Sequence, residues 1–336
     1  MALAESYPLS VVIPARNVED KIERCLEAIV AGTFEHAEII VVDDASVDAT
    51  TAIVQCYLDR SDVKIRCVGL KERLGPAAAR NRGLELARYP YVLFLDADVV
   101  LSPNSLQWIR ESLELYCHRP EVIGVLGSYS EMTPFEDFFT NFKNLQTCFL
   151  YKTTETLSPF LHTPMMCIRK EVLESAAGFD PEMDTAEDFR LGIVLGTRGY
   201  RFVIDRRIEG LHLKRYSLPA IFKEDWRRIR DLKSIRLNRG ERRFYFRAHR
   251  VTRLLSLALP GPALALLALI WVNQIFGVAA LILIVIFYLL NLNFLAYCRK
   301  KRGWLFAVQS AAFLFVEMLW AEIAALVARK RSLQQL

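Results

Sequence analysis

Up to about Arg253 the chain alternates short apolar runs with segments of helical period; beyond it, apolar residues follow one another almost without a break. Alternation of the first kind marks βαβ units and a mainly parallel sheet, so the fold class expected is α/β. The pattern predicts strands at Leu9–Ile13, Glu38–Val42, Val63–Val68, Tyr91–Leu95, Val122–Leu126, Arg201–Ile204 and Glu209–His212. Between them it predicts a helix capped by Asn17 and closed near Gly32, then Ala49–Asp59. Another opens at Gly75-Pro76, with proline at its first position, and runs to about Arg88. Ser102–Tyr116 and Arg169–Ala176 also read as helices. Asp184-Thr185-Ala186-Glu187 has capping-box form and starts a helix that stops at Gly199. Ser130–Leu161 is rich in aromatics without a clear period, which predicts an irregular, partly mobile wall over a cleft.

Leu254–Tyr297 is too long and too apolar for one core helix. About 20 residues cross a hydrocarbon layer at about 1.5 Å each, so this run holds two spans. Asn273-Gln274 supplies a polar turn between them, Pro260 and Pro262 bend the first, and the basic cluster Arg299–Arg302 is expected on the cytosolic side. Trp304–Val327 is a third candidate that carries Glu317 and Glu322; it spans, re-enters or lies in the interface. The chain therefore divides into an α/β domain at 1–216, a basic amphipathic interfacial segment at 217–253, an all-α transmembrane region of two or three helices at 254–328, and a basic tail at 329–336.

Charge supports that division. The net charge is +5, and much of the excess lies in Arg227–Arg253, directly before the first apolar run. An anionic lipid surface would attract it there, whereas a nucleic-acid binder would gather it on a soluble face with interleaved aromatics. Seven cysteines show neither CxxC nor metal-ligand spacing, which fits buried thiols of a reducing compartment. Met1–Pro8 lacks the basic and apolar regions of a cleavable signal peptide. The expectation is a multi-pass protein of the inner or plasma membrane with its α/β domain in the cytosol.

Ligands of an open parallel sheet bind at the carboxyl ends of its strands. Asp43-Asp44 and Asp96-Ala97-Asp98 fall at such ends, and Glu187-Asp188 follows a capped turn. Singly, each reads as a cap or turn residue. Together they form a set. Carboxylates as close as Asp96 and Asp98 repel unless a cation or proton lies between them. Hard oxygen ligands suit Mg²⁺ or Mn²⁺, commonly held by one or two carboxylates and substrate phosphates. Such an ion would neutralise the charge that builds on a diphosphate leaving group.

These segments resemble family 2 glycosyltransferases, inverting enzymes of the GT-A fold. The resemblance is carried by Val11-Val12-Ile13-Pro14-Ala15-Arg16-Asn17, by Ile39-Ile40-Val41-Val42-Asp43-Asp44-Ala45-Ser46 with Asp48 and Thr50, and by Gly75 through Ala79-Arg80-Asn81-Arg82-Gly83. It continues through Asp96–Asp98, Gly178-Phe179-Asp180 and Glu187-Asp188, in order, over roughly residues 8–215. It implies a nucleotide-sugar donor and a divalent ion, Mg²⁺ or Mn²⁺. Pro14, Ala15 and Asn17 would line the nucleotide pocket, Asp44 would bond the base, and Arg80 would approach the nucleotide. Asp96 would touch the ribose or sugar, Asp98 the metal, and Asp188 would be the catalytic base. Glu187 is assigned instead to the capping box. His212 would complete the metal shell, and Lys214 and Arg215 would neutralise diphosphate oxygens or else begin the membrane-facing stretch.

Two features depart from the family pattern. Processive members carry Gln-x-x-Arg-Trp, but here the run is Glu224-Asp225-Trp226-Arg227-Arg228, which disfavours polymerisation. Where many relatives have Gly-Gly-Asn, this chain has His162-Thr163-Pro164-Met165-Met166-Cys167, which leaves the acceptor open. A lipid-linked or cell-envelope glycan acceptor, membrane lipids and no nucleic acid are the expected partners, with a homo-oligomer left open. Two other functions compete. One is a haloacid-dehalogenase-like phosphatase, in which Asp96 would be the nucleophile and Asp98 the general acid. The other is a catalytically inactive, glycosyltransferase-like membrane scaffold.

Overall fold

The computed structural model describes residues 7–32, 36–58, 64–159, 161, 163–183, 185–248 and 256–333. Two compact units divide the chain: residues 1–135 with 150–215, and residues 136–149 with 216–336.

In the first unit, β1 (Leu9–Ala15), α1 (Ile22–Gly32), β2 (Ala37–Asp43), α2 (Thr50–Leu58), β3 (Lys64–Gly69), α3 (Pro76–Leu86) and β4 (Tyr91–Leu95) follow in sequence. They are continued by β5 (Val99–Leu101), α4 (Ser105–Leu115) and β6 (Val122–Tyr129). After α5 (Phe138–Thr153) come β7 (Leu157–Ser158), β8 (Met165–Arg169), α6 (Lys170–Ser175), α7 (Glu187–Thr197) and β9 (Arg201–His212). The sheet runs β3-β2-β1-β4-β8-β6-β9-β5, with β7 beside β9. β3, β2, β1 and β4 are parallel, β8 is inserted antiparallel to both β4 and β6, and β6 runs parallel to β9. This is a mixed α/β sheet with a parallel half. β1, β2 and β4 are buried along nearly their whole length, as continuous apolar runs in a covered sheet should be. The buried Glu38 of β2 accepts from Ser10 Oγ, Arg66 Nη2 and the Arg88 N–H, each at 2.7 Å, so its charge is fully answered.

α3 holds this half of the sheet together. Its Gly83 lies against the Val12 side chain, where a Cβ would collide. Asn81, two residues earlier, clamps a distant turn. Its Nδ2 donates to Phe179 O at 2.7 Å, and its Oδ1 accepts from Phe179 N–H at 2.8 Å. Gly178 has φ 71°, and any side chain there would meet Asn81. Phe179, so fixed, packs edge-on against Phe94 with ring centroids 5.2 Å apart.

Several expectations need correction. Asn17 does not cap a helix: it has φ 48°, α1 starts only at Ile22, and its Oδ1 accepts from Val47 N–H at 2.9 Å. β5 and β8 were not expected, because both are short pieces whose partners lie far along the chain. β9 is one strand of twelve residues rather than two, with its register shifts taken up beside β6. The segment read as an irregular wall contains α5, sixteen residues long. No residue from Phe138 to Tyr151 is exposed, so no polar face exists to set a period. Val63 and Asp59 lie outside the described residues, as do His162 and Asp184.

The second unit begins with the first part of α5 and continues with α8 (Leu218–Ser234), α9 (Arg239–Ala248), α10 (Pro260–Ala268) and α11 (Gln274–Leu333). Ser217 caps α8, accepting from Ala220 N–H, and α9 opens on a reciprocal capping box between Asn238 and Glu241. Gln274–Ala328 is long and apolar enough to cross a membrane. α11 is not straight, because Gly303 (φ 86°, ψ −179°) breaks it. In one straight helix Phe287 and Phe315 would be about 42 Å apart. Their rings are 5.4 Å apart, so the two halves fold back on one another as a hairpin. α10 has nine residues, about 13 Å of helix, and the start of the span expected from Leu254 lies outside the described residues.

Each acid of the second half of α11 has at least one donor. Glu317 accepts from Lys143 Nζ at 2.9 Å and Gln146 Nε2 at 2.8 Å, while Glu322 accepts from the N–H of Gly261 at the start of α10. Phe142 packs edge-on between Phe294 and Phe313, and Phe222 of α8 stacks on Trp320 at 5.0 Å. Asp225 lies 3.8 Å from Lys143. Burial pushes its carboxyl up to about 6; Lys143 opposes the shift and Glu317 adds to it.

Removing the clamp by Asn81→Ala leaves two buried backbone groups of Phe179 unpaired, and chemical denaturation should show a loss of about 1–3 kcal/mol. Asp225, with its folded pKa raised, contributes stability that is present below about pH 4 and lost as pH rises through about 6, on the order of 2 kcal/mol. Thermal melts should therefore place Asp225→Asn above the parent at about pH 8, with the gap closing towards about pH 4.

Candidate active site

Parallel pairing puts the carboxyl ends of β1, β2 and β4 side by side, with Ala15 opposite Asp43 and Val12 opposite Phe94. Asp43, Asp44, Asp96 and Asp98 leave the sheet at this edge. Asp43 is an internal fastener: it accepts from Ser46 N–H and Oγ and from Thr51 Oγ1 at 3.1 Å. Asp44 is 4% exposed and accepts the N–H groups of Leu74 (2.6 Å) and Gly75 (3.0 Å), which fixes the loop that enters α3. Each of its oxygens keeps a lone pair for another donor. Arg16, not singled out in the sequence, donates from Nη1 to the carbonyl oxygens of Asp44 and Ala45 and holds this loop from the other side. Pro14 is half-buried and Ala15 buried at the floor; the Ala15 carbonyl accepts from Asp44 N–H at 2.8 Å. Asn17 is exposed at the rim.

Arg80, one turn into α3, is only 4% exposed. Its Nη2 donates to Asp96 Oδ1 at 2.9 Å and its Nη1 to Glu187 Oε1, while the guanidinium carbon lies 5.6 Å from the centre of the Phe179 ring. Burial works against its charge, but Asp96, Glu187 and Asp188 outweigh that and raise its pKa. The Arg80 side chain expected beside a nucleotide thus faces two carboxylates. Glu187, in turn, is the first residue of α7, after Ala186 at φ 72°, not the third helical residue that the expected capping box requires; Asp184, the other member of that box, lies outside the described residues. Burial pushes its carboxyl up, Arg80 pulls it down, and the net shift is upward. The capping-box pattern concealed it; its position beside Asp188 was the only other signal.

Asp188 follows on the same turn, half-buried, with Oδ1 accepting its neighbour's Phe189 N–H at 2.7 Å. Burial pushes the Tyr151 hydroxyl well above its usual pKa, and the negative charge of Asp188 adds to the shift.

Antiparallel pairing of β5 with β9 sets Val99 opposite His212 and so brings Asp98 beside that imidazole. Asp98 Oδ2 is 3.5 Å from His212 Nε2, and Leu213 N–H donates to Asp98 O at 2.8 Å. His212 is buried and stacks flat on Tyr129, with ring centroids 4.2 Å apart at 7°. Burial alone would raise Asp98, but the His212 hydrogen bond and charge, with Lys214 and Lys21, hold it below the usual carboxylate range. Adjacent ligands of an octahedral hard ion at about 2.1 Å lie about 3 Å apart, so this carboxylate–imidazole pair fits two positions around one Mg²⁺ or Mn²⁺. Among the described residues no group of three His, Cys, Asp or Glu gathers as a cage. Such an ion would need water or substrate oxygens as well. Lys214 is half-buried next to this pair, and the Arg215 guanidinium lies 6.0 Å from the Phe135 ring centre. An aspartyl-phosphate role for Asp96 is disfavoured by the Arg80 bond that occupies one of its oxygens.

Residues 10–176 match the model of the family described as glycosyl transferase family 2. The putative teichuronic acid biosynthesis glycosyltransferase TuaG of Bacillus subtilis is 37% identical over 134 residues, 39% of this chain and 51% of that protein, so the chain matches about half the length of this relative. Among solved structures, the mannosyltransferase PcManGT from Pyrobaculum calidifontis, in complex with GDP-Man and Mn²⁺, superposes with a TM-score of 0.65 at 21% identity. That superposition covers 96% of this chain and 88% of the other. S. aureus TarS 1-349 in complex with UDP-GlcNAc gives 0.51 at 18% identity over 96% and 92% of the two chains. At such identities the structures establish likeness of fold, which is GT-A. With its strand-end carboxylates in that fold and its first half matched by the family model, this chain carries a glycosyltransferase family 2 domain and belongs to that family.

Proposed function

We propose that the chain transfers a sugar, with inversion, from a nucleoside-diphosphate sugar to a lipid-linked or cell-envelope glycan. The observation that carries this reading is the gathering of Asp44, Asp96, Asp98 and Asp188 round the carboxyl ends of β1, β2 and β4, with His212 against Asp98. The GDP-Man and UDP-GlcNAc bound to the two fold neighbours, and the teichuronic acid named for TuaG, support the donor and acceptor classes.

In this reading Pro14, Ala15 and Asn17 line the base pocket, and the free lone pairs of Asp44 receive the base. Asp96 faces the ribose or sugar with the oxygen that Arg80 leaves open. Asp98 and His212 would hold Mg²⁺ or Mn²⁺, which would supply Lewis-acid neutralisation of the leaving group. To hold the ion, His212 presents the lone pair of a neutral imidazole. Lys214 adds positive charge on the same side. Asp188 accepts the proton of the acceptor hydroxyl as its oxygen attacks the anomeric carbon from the face opposite the diphosphate.

The second unit supports a membrane location. Leu281, Ile282, Val285, Leu289 and Leu292 leave an apolar face exposed on the first half of α11, and Arg299, Lys300, Lys301 and Arg302 follow before the Gly303 turn. The first half of the hairpin would enter the bilayer, with this basic turn at the headgroups of the cytosolic leaflet, while the second half packs on α5 and α8 through Glu317 and Trp320. α8 and α9, amphipathic and rich in arginine, would lie along the surface from which a lipid-borne acceptor is drawn.

A thermal-shift screen of GDP, UDP, GDP-mannose and UDP-N-acetylglucosamine, with and without Mn²⁺, should find one nucleotide that stabilises only with the metal, by about 2–3 kcal/mol at a hundredfold excess over Kd. Asp98→Ala should abolish that shift, and the absence of a shift with every nucleotide would overturn the reading. Asp188→Asn should keep the shift and lose turnover by about 10²–10⁴-fold. After an alkaline carbonate wash of reconstituted vesicles the full chain should stay in the pellet; release to the supernatant would contradict the hairpin's insertion.

A further inference from the structure

Neither Arg80 nor Glu187 is needed for any step above, yet they form an enclosed ion pair, with side chains 5% and 8% exposed. Among the described residues Arg80 also joins, by side-chain hydrogen bonds, the end of β4 to the start of α7. We propose that Asp96–Arg80–Glu187 is a rigid strut, in which Arg80 and Glu187 are positioning residues that set the base, one peptide further on, against the donor floor. This rests on the reading of Asp96 and Asp188 given above.

The geometry favours a positioning role over mere neutralisation. A guanidinium is planar, and its two terminal nitrogens point in fixed directions, so carboxylates held on separate nitrogens are fixed relative to one another. Arg80 is itself immobilised from below by Phe179, which Asn81 clamps, and α3 is held at its entry by Asp44. At the other end, α7 starts from a left-handed Ala186, whose methyl group cannot cap it. The Glu187–Arg80 pair fastens this helix start where Asp188 needs a defined place. A misplacement of about 1 Å between reacting groups costs about a hundredfold in rate, so a strut between the two ends of the reaction acts on turnover more than on affinity.

Glu187→Gln retains the shape and an acceptor oxygen but loses the charge; Arg80→Lys retains the charge but loses the fork. Release of nucleoside diphosphate from GDP-mannose or UDP-N-acetylglucosamine with Mn²⁺ should fall about 10–100-fold in kcat for either variant, with donor KM changed less than about threefold. The double variant should be no worse than the poorer single one, since both cut the same strut. Hydrogen exchange of the full chain gives a test that needs no turnover. Glu187→Gln should speed exchange at the Asp96 and Val99 amides, and Asp96→Asn should speed it at the Arg190 amide in the first turn of α7. Arg80→Lys should do both, whereas Glu85→Gln, in the exposed pair with Arg82, should do neither. Purely local exchange changes at each mutated end, or additive losses in the double variant, would overturn the strut. If the parent protein releases no nucleotide from either donor, the transfer reading fails, and the exchange experiment still decides the strut.

Discussion

A guanidinium withdrawn from water must be matched by carboxylates and held in place by its packing, and Arg80 is such a group. Its partners come from two separate parts of the chain, Asp96 at the end of β4 and Glu187 at the start of α7. Satisfying one cation therefore fixes where a strand end and a distant helix must meet. The rest of α3 serves the same end. Asp44 anchors its entry, Gly83 lets it approach Val12, and Asn81 secures the turn whose Phe179 ring lies under the guanidinium. Losing the cation would leave two acids facing each other in a poorly solvated space, beside a third in Asp188.

Around that core, the carboxyl edge of the sheet separates its acids by environment. Asp43 and Asp44 are tied into backbone and hydroxyl hydrogen bonds, Asp96 into the arginine, and Asp98 into a histidine held flat on Tyr129. Each neighbour gives its carboxylate a different job. The same rule governs the second unit. Glu317 faces Lys143 and Gln146, and Glu322 takes the N–H at the start of α10, so each acid of the apolar hairpin has a hydrogen-bond donor.

Much of this was legible in the chain. Apolar runs at residues 11–13, 39–42 and 91–95 demanded buried parallel strands, and the acids that follow the last two had to emerge at one edge. The sequence alone also determined the family, through motifs whose residues have definite structural duties. Asn81 clamps the Phe179 turn, Gly83 lets α3 approach Val12, and Asp44 fixes a loop. What local pattern could not reveal were features created by partners far away. β5 and β8 are strands only because β9, β4 and β6 pair with them; α5 lost its period because no residue from Phe138 to Tyr151 is exposed. Glu187 looked like a cap because a box motif is local, whereas Arg80, 107 positions earlier, is what claims it. Tertiary structure decided these points, since a side chain's charge and burial depend on what folding brings beside it, and sequence spacing does not record that.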